Sequence, residues 1–466
     1  MVNNYLKNQK ILYAAALAAS IIFCIAMTSM GITKYYSVLQ GGDNYNDFPT
    51  SGFSLIRVLI NGSYLIATVT YIIWLIQKKQ TSSSFLDICK YAIPFLALAL
   101  IAYPQSSDIY MYLHYGAMSL QKINPYLNNP DTLTSNVSPF FQWLQTSTYG
   151  PVSLCFFALS ALGGSISPLL GVYIFKIICV LVHTLNGYLI WRLLTNSENR
   201  NLITLAYLVN PMLLNEQIAN AHLDVLLANT SIVLIGCIYY QRYVLAILAI
   251  WVGFFIKTLP IIWLPLVFAF LCKQRRWRDL AASVLLSLLI IAVISYTFMP
   301  TVSAWRSLLN PGTAGSTARS FHHAINLFLN FWPNVSVETR ESILSFIKYF
   351  AYLSWIVYYA GTLIKSFFRK NDGEINLVSD MGWTTLTLFL FATPWLMPWY
   401  PSILLPIAAL SINSPHFVLT SLTFSLSPSI ILGGGAGTNV ISLVTSFVSV
   451  VPPTALLIFG RKQALF

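Results

Sequence analysis

The chain has 466 residues, of which 56% are hydrophobic and only 9% charged, with a formal net charge of +12. A soluble domain carries roughly 25% charged residues, so this composition excludes a soluble globular protein and predicts an integral membrane protein. The excess of basic residues lies in short loops between apolar segments, where it is expected to set membrane topology. We therefore expect membrane lipid, and no nucleic acid, as a partner.

Apolar segments that approach the roughly 20 residues of a membrane-crossing helix recur along the chain. The predicted spans, in chain order, are 11–30, 55–77, 89–103, 169–193, 201–214, 223–241, 243–257, 260–272, 279–299, 344–367, 380–394, 398–412, 415–433 and 438–459. Several are short and broken by proline, so we expect about 12 to 14 spans. The predicted fold class is all-α, a polytopic bundle of transmembrane helices forming one integral membrane domain over residues 1–466.

Two long segments, 104–168 and 300–342, interrupt this pattern, and both are predicted to form outer loops. Residues 151–162 are apolar but too few to cross comfortably, so we expect the first loop to carry amphipathic helices, one of them half inserted. Basic clusters are expected on the cytoplasmic side; they include Lys78–Lys79, the run from Lys273 to Arg278, Arg369–Lys370 and Arg461–Lys462. Both termini are then cytoplasmic, in a multi-pass protein of the plasma membrane.

The six cysteines are scattered and form no C-x-x-C pair, and the outer carboxylates are not grouped at metal-ligand spacing. The sequence also lacks a phosphate-binding G-x-x-x-x-G-K-S/T loop and an Asp-x-Asp pair that would hold a metal-bound nucleotide sugar. We expect no metal ion and no cofactor.

Among the 14 acidic residues, Asp108, Glu216 and Asp224 are predicted on the outer side, closest to the ends of spans. A carboxylate near the lipid boundary is costly and usually has a function. Asp108 opens the tyrosine-rich segment 108–115 directly after the third span. It is either a general base at the membrane surface or a simple cap of an outer helix.

Four short motifs follow one another in the first predicted loop: Asp108-Ile109-Tyr110-x-Tyr112, Tyr115-Gly116, Asn124-Pro125-Tyr126 and Tyr149-Gly150-Pro151. Together they resemble the first outer loop of GT-C glycosyltransferases, the polytopic enzymes that use polyprenyl-phosphate sugars. Further matches follow in order: Asn210-Pro211 with Glu216, Ala219 to Asp224, Lys257 with Pro260, and Pro394-Trp395-x-x-Pro398-Trp399-Tyr400. The ordered set is similar to that of actinobacterial polyprenol-phosphate-mannose-dependent mannosyltransferases. Two departures are Leu223, where the family often has Asn, and a poorly matching loop at 312–326.

The resemblance implies an inverting glycosyltransferase that moves a sugar, first of all mannose, from a polyprenyl-phosphate sugar to a glycolipid or glycan acceptor at the outer face. It implies Asp108 as the general base. The implied donor-phosphate ligands are Lys257, Arg319, His322 and His323. The implied substrate-binding residues are Tyr110, Tyr112, Tyr149, His222, Asp224, Trp399 and Tyr400.

Each implied role has a structural alternative. Lys257 lies in an apolar stretch, where a lone ammonium costs about 2.5–3.5 kcal/mol, so it needs a partner, a phosphate or a path to the interface. His222 and Asp224 are two residues apart and would not share a helix face, so a joint role requires non-helical backbone. Trp399 and Tyr400 are also typical of membrane interfaces.

Two other functions remain open on the sequence. A secondary transporter or lipid-linked sugar flippase would also use an intramembrane lysine and broken spans, although no inverted repeat is visible. An O-antigen ligase-like enzyme would need its motifs late in the chain rather than in the loop after the third span.

Overall fold

The structure is a computed structural model that describes residues 2–42, 45, 54–77, 84–141, 143–310, 316–332, 335–370, 373–411, 413–427 and 440–460. Regular structure in these ranges is helical, which confirms the predicted all-α fold. The chain divides into two compact units. The first comprises 1–229, 252–258 and 291–312, and the second comprises 230–251, 259–290 and 313–466.

Besides the shorter helices Pro211–Leu213 and Val302–Leu309, the first unit contains, among its described residues, seven helices up to residue 208 and a π-helical segment. They are α1 (Val2–Leu39), α2 (Ser54–Gln77), α3 (Phe85–Ile101), α4 (Asp108–Leu120), α5 (Pro151–Gly164), α6 (Pro168–Leu193), α7 (Arg200–Leu208) and the π-helix Leu214–Ala219. Helix α1 packs on α2, α4 on α5, and α3 on both α7 and the π-helix. Apolar side chains such as Phe95, Leu208 and Ile218 form the core between α3, α7 and the π-helix.

The predicted first loop is helical, as expected. Helix α5 has 14 residues, roughly 21 Å at the usual rise, and is therefore shorter than the roughly 30 Å hydrocarbon core. Helix α4 packs on α5 with ring contacts, including Tyr112 stacked on Phe157 with centroids 4.6 Å apart. The start of α5 is held by residues 255 and 256, whose carbonyl oxygens accept from Val152 and from the Ser153 hydroxyl.

Val302–Leu309 belongs to the first unit. The second unit contains the remaining long apolar helices. Its described helices are Asp224–Tyr239 from residue 230 onward, Tyr243–Phe254 as far as residue 251, Leu264–Lys273, Trp277–Thr297 as far as residue 290, Phe321–Asn330, Val337–Phe368, Glu374–Thr387 with a π-helical continuation at Leu388–Ala392, Leu404–Leu410, Pro415–Leu426 and Val440–Phe459. Buried polar side chains link them: Trp263 donates to the Thr385 hydroxyl at 2.9 Å.

Seven helices are long and apolar enough to cross a membrane, and five apolar helices of 10–17 residues accompany them among the described residues. The chain is therefore a multi-pass membrane protein. Val337–Phe368 shows how the lipid face is made, because Phe346, Leu353 and Val357 are all more than half exposed. The estimate of 12 to 14 spans and the placement of the termini stay predictions. Lys78–Lys79, Arg461–Lys462 and parts of 300–342 lie outside the described residues.

The crossing of α4 and α5 depends on Gly116. A Cβ atom at this position would lie 2.2 Å from the carbonyl oxygen of Phe157, a main-chain atom that cannot move away cheaply. We expect Gly116→Ala to destabilise the fold by about 1–3 kcal/mol through overpacking. Thermal unfolding of the detergent-solubilised protein measures this effect. Gly164→Ala, whose Cβ would meet nothing within 4 Å, is the matched control, and equal unfolding midpoints for the two variants would contradict the argument.

Candidate active site

Five ionisable side chains from separate segments of the first unit come together near the start of α4. They are Asp108, Glu216, His222, Asp224 and Lys257, and we call them the carboxylate cluster. Glu216, His222 and Asp224 are at most 3% exposed, whereas the side chains of Asp108 and Lys257 retain 25% and 22% of their surface. Because charged groups are almost never buried unless they are paired, their association sets this region apart from the apolar remainder of the unit.

Asp108 is the accessible carboxylate of the cluster. Its side chain keeps 25% of its surface, against 4% for Glu216 and 3% for Asp224. Asp108 is the first residue of α4, and its main-chain N–H donates to the Ser106 hydroxyl at 3.2 Å. The cap position before α4 is occupied by Ser107, which makes no side-chain cap bond, so the structure does not place Asp108 as the helix cap.

The pKa of Asp108 is raised to about 6, chiefly because burial disfavours its charged form. The positive charge of Lys257 and the Ser106 hydrogen bond act in the opposite direction, and the negative charge of Asp224 adds to the rise. The carboxyl group is consequently ionised at neutral pH, yet basic enough to take a proton efficiently.

His222 lies between two carboxylates. Its Nδ1 is 3.6 Å from Asp108 Oδ2, and its Nε2 is 3.6 Å from Glu216 Oε2. Burial lowers the pKa of His222 well below its usual value, and the nearby charge of Lys257 lowers it further. The ring is therefore neutral, and can offer one N–H to only one of the two carboxylates at a time.

An irregular backbone brings His222 to this position. The π-helix Leu214–Ala219 ends at Asn220, and Ala221 has a φ of 58° in the left-handed region. The His222 N–H then donates to the Glu216 carbonyl at 3.1 Å before the next helix begins at Asp224. This is the non-helical backbone that a joint role of His222 and Asp224 requires, and π-helical turns often occur at functional sites.

Lys257 pairs with Asp224. Its Nζ lies 3.0 Å and 3.2 Å from the two carboxylate oxygens. The intramembrane lysine thus has a carboxylate partner, while about a fifth of its side-chain surface remains open. The pair also holds a positive charge close enough to Asp108 and His222 to affect both.

The predicted tyrosines divide between two places. The Tyr112 ring makes an edge contact with Tyr149 at 5.1 Å, and the charges of Asp108 and Asp224 act on its hydroxyl. Tyr110 instead belongs to a buried aromatic group, where its hydroxyl bonds that of Tyr103 at 2.7 Å and its ring stacks on Phe140. The structure therefore brings Tyr112 and Tyr149 to the carboxylate cluster and does not bring Tyr110 there.

In the second unit, Arg319, His322 and His323 lie in and beside a short segment that pairs with residues 394–396. Ala318 donates to the Pro394 carbonyl at 3.1 Å, and its own carbonyl accepts from Leu396 at 2.8 Å. All three predicted phosphate ligands are at most 5% exposed, and Arg319 has a left-handed φ of 49°. Strained backbone of this kind accumulates at binding sites.

Trp399 and Tyr400 follow this pairing along the chain. Their rings make an edge contact with centroids 6.2 Å apart, and Tyr400 also lies 5.9 Å from Phe389. Both residues are partly exposed. Their role in binding a sugar stays a prediction.

Sequence reasoning noted Glu216 near a span end but did not include it among the site residues. It also gave no role to Lys176, whose side chain is fully buried in α6. A lysine in the middle of an apolar span was the signal that could have found it.

The described residues contain no group of three or more His, Cys, Asp or Glu side chains placed to hold a metal ion. The cluster has its own cation in Lys257. Metal independence stays a prediction.

The fold and the site together define a polytopic membrane protein with a largely buried cluster of carboxylates. The family model for the alpha-(1→6)-mannopyranosyltransferase N-terminal domain matches residues 14–273, which is more than half of the chain. The chain therefore belongs to the alpha-(1→6)-mannopyranosyltransferase family, and it is a glycosyltransferase. No curated protein matches it.

This assignment confirms the resemblance to the GT-C mannosyltransferases that the motifs indicated. All five residues of the carboxylate cluster fall within the matched range, whereas Arg319, His322, His323, Trp399 and Tyr400 fall beyond it.

The Asp224–Lys257 pair yields a stability prediction. We expect Lys257→Met to destabilise the protein by about 3 kcal/mol, the lower end for breaking a buried pair, because Asp224 is left buried and uncompensated while Lys257 is partly exposed. The double variant Asp224→Asn/Lys257→Met should recover much of that loss, since it removes both charges. Chemical unfolding of Lys257→Met, of Asp224→Asn and of the double variant gives the interaction free energy between the two side chains. The pairing would be refuted if the loss of unfolding free energy in the double variant equalled the sum of the losses in the two single variants.

Proposed function

We propose that the protein is an inverting mannosyltransferase that takes mannose from polyprenyl-phosphate mannose and transfers it to a glycolipid or glycan acceptor at the outer, periplasmic face of the plasma membrane. The observation that carries this proposal is Asp108, a carboxylate whose side chain keeps 25% of its surface, lies 3.6 Å from His222 and is influenced by the charges of Lys257 and Asp224. Membership of the alpha-(1→6)-mannopyranosyltransferase family supports mannose as the sugar.

In the proposed reaction, Asp108 takes the proton of an acceptor hydroxyl while that oxygen attacks the anomeric carbon of mannose. The bond between the anomeric carbon and the phosphate oxygen of the donor breaks, and the electron pair leaves with polyprenyl phosphate. One displacement inverts the anomeric configuration. The products are the mannosylated acceptor, polyprenyl phosphate and a protonated Asp108.

The neighbours of Asp108 suit this role. Neutral His222 can donate an N–H to the Asp108 carboxylate and so fix its orientation, while Glu216 lies on the opposite side of the ring. Lys257 keeps Asp108 ionised, because its charge opposes the effect of burial on the pKa. Tyr149 is partly exposed and can offer an aromatic surface on which a sugar packs, while the buried Tyr112, stacked on Phe157, supports it by an edge contact.

The leaving phosphate gains negative charge and needs cationic or hydrogen-bonding groups in place before the reaction. The family resemblance assigns this role to Arg319, His322 and His323 in the second unit and to Lys257 in the first unit. Burial and the charge of Lys348 lower the pKa of His322, so it would contact phosphate as a neutral hydrogen-bond donor. No metal ion or cofactor is needed for this chemistry.

The alternative functions are less well supported. Family membership favours an enzyme over a transporter or flippase. An O-antigen ligase-like enzyme would carry its motifs late in the chain, whereas the carboxylate cluster lies within residues 108–257.

The first test replaces the base. Asp108→Asn keeps the size and polarity of the side chain but cannot take a proton, so we expect kcat to fall roughly 10²–10⁴-fold. The assay follows label from radiolabelled polyprenyl-phosphate mannose into a membrane lipid extract or a synthetic mannoside, with purified protein and a chelator present.

Asp131→Asn is the matched control, because Asp131 is an exposed carboxylate of the same predicted loop. It should retain wild-type activity. Full activity of Asp108→Asn would remove Asp108 as the base, and a wild type inactive with mannose, glucose and arabinose donors would overturn the proposed reaction.

The raised pKa of Asp108 predicts a pH dependence. The base must be ionised, so kcat/KM should be constant above about pH 6 and should fall about tenfold per pH unit below it. If the pKa of Asp108 were ordinary, kcat/KM would begin to fall only near pH 4. Initial rates in buffers from pH 4.5 to 8, at donor concentrations below KM, locate the limb, and a flat profile down to pH 5 would contradict the assignment.

A further inference from the structure

We infer that Lys176 is a positioning residue, whose ammonium group fixes the distance between the two chain segments that carry Asp108 and His222. This inference rests on the proposed function, since it concerns the same site. Lys176 takes no part in the proposed reaction, and its side chain is fully buried inside α6.

The burial of Lys176 calls for an explanation. It lies eight residues after the start of a 26-residue span, roughly 12 Å along the helix. A charged side chain inside a membrane span is rare and usually marks a functional region. Its ammonium group contacts two main-chain carbonyl oxygens and lies 5.7 Å from the centre of the Tyr173 ring.

The two carbonyl groups belong to helix ends. One belongs to Ala102, the cap residue that follows α3. The other belongs to Ala219, the last residue of the π-helix, and its oxygen lies 3.2 Å from the Lys176 Nζ. Carbonyl groups at helix C-termini lack partners within the helix and carry partial negative charge, so a cation is favourable there. One ammonium group therefore joins two helix ends that are 117 residues apart in sequence.

Each of these ends leads directly into the carboxylate cluster. Ala102 precedes the segment that ends at Asp108, and Ala219 precedes the turn that carries His222. A second bond joins the same two segments, because the Gln105 N–H donates to the Asn220 side-chain oxygen at 3.0 Å. Lys176 and Asn220 thus hold together the segments whose side chains approach to 3.6 Å at Asp108 and His222.

A small displacement of the base would reduce the rate without abolishing binding. A shift of about 1 Å in a catalytic group can cost on the order of 10²-fold in rate. We expect Lys176→Met to lower kcat by roughly that factor while the KM for donor and acceptor stays within about twofold.

Asn220→Ala provides a second, milder variant that removes the other bond without changing a buried charge. It should lower kcat in the same direction and leave KM unchanged. It also keeps the inference testable if Lys176→Met does not yield folded protein, because a wild-type kcat for Asn220→Ala would then overturn the inference.

His183→Leu is the matched control on the same helix. His183 is also fully buried, and its ring nitrogens contact the Leu208 carbonyl of α7 at 3.2 Å and the Gln217 side chain of the π-helix at 3.4 Å, so that neither contact joins the segment that leads to Asp108. It should lower the unfolding midpoint but keep kcat near that of the wild type. An equal loss of kcat in His183→Leu and Lys176→Met would show that any buried polar residue of α6 has the same effect.

A combination with Asp108→Asn separates positioning from general damage. If Lys176 acts through Asp108, adding Lys176→Met to Asp108→Asn should lower the residual rate by less than about twofold, because effects of residues that act as a unit are not additive. The same roughly 10²-fold loss in both backgrounds would overturn the inference. A wild type that transfers mannose while Lys176→Met keeps full kcat refutes only this inference, whereas an inactive wild type refutes the proposed function itself.

Discussion

The arrangement of the first unit depends on the cost of placing charge in a medium of low dielectric. An apolar chain crossing lipid has little reason to retain charged side chains, and those it retains must be paired or hydrogen bonded. Lys257 meets this requirement with Asp224, and Lys176 meets it with the carbonyl groups of two helix ends. Both solutions draw separate segments toward one place, and that place is where Asp108 begins its helix.

The irregular backbone of the unit has the same origin. A regular helix through residues 214–224 would direct His222 and Asp224 away from each other. The π-helix and the left-handed Ala221 break that regularity, so that His222 reaches Asp108 while Asp224 reaches Lys257. The Ala219 carbonyl at the end of the π-helix accepts from the Lys176 ammonium group, and the Asn220 side chain that follows it accepts from the Gln105 N–H.

Much of the fold followed from the sequence, because hydrophobic runs and basic loops are local properties. The expected span at 169–193 is a helix at Pro168–Leu193, and that at 279–299 is a helix at Trp277–Thr297. The helical first loop and the family resemblance were also confirmed. Sequence could not give the partners of charged residues, because pairs such as Asp224 with Lys257 depend on contacts 33 residues apart.

The tyrosines of α4 show the same limit on a smaller scale. Tyr110 and Tyr112 belong to one motif, but two residues along a helix turn a side chain by about 200°. Tyr112 consequently faces the carboxylate cluster, and Tyr110 faces the aromatic group around Phe140. The motif indicates where the site is, whereas the helix phase decides which of its residues enter it.

Access distinguishes Asp108, the proposed base, from the other two carboxylates of the cluster. Asp224 is bound to Lys257, and Glu216 accepts from the Asn215 amide at 2.9 Å; each keeps no more than 4% of its side-chain surface. A substrate hydroxyl can reach neither of them without displacing protein atoms. Asp108 has a quarter of its surface open and a pKa of about 6. A single accessible carboxylate suits a direct displacement that needs one base, because a double displacement would require a second open carboxylate as nucleophile.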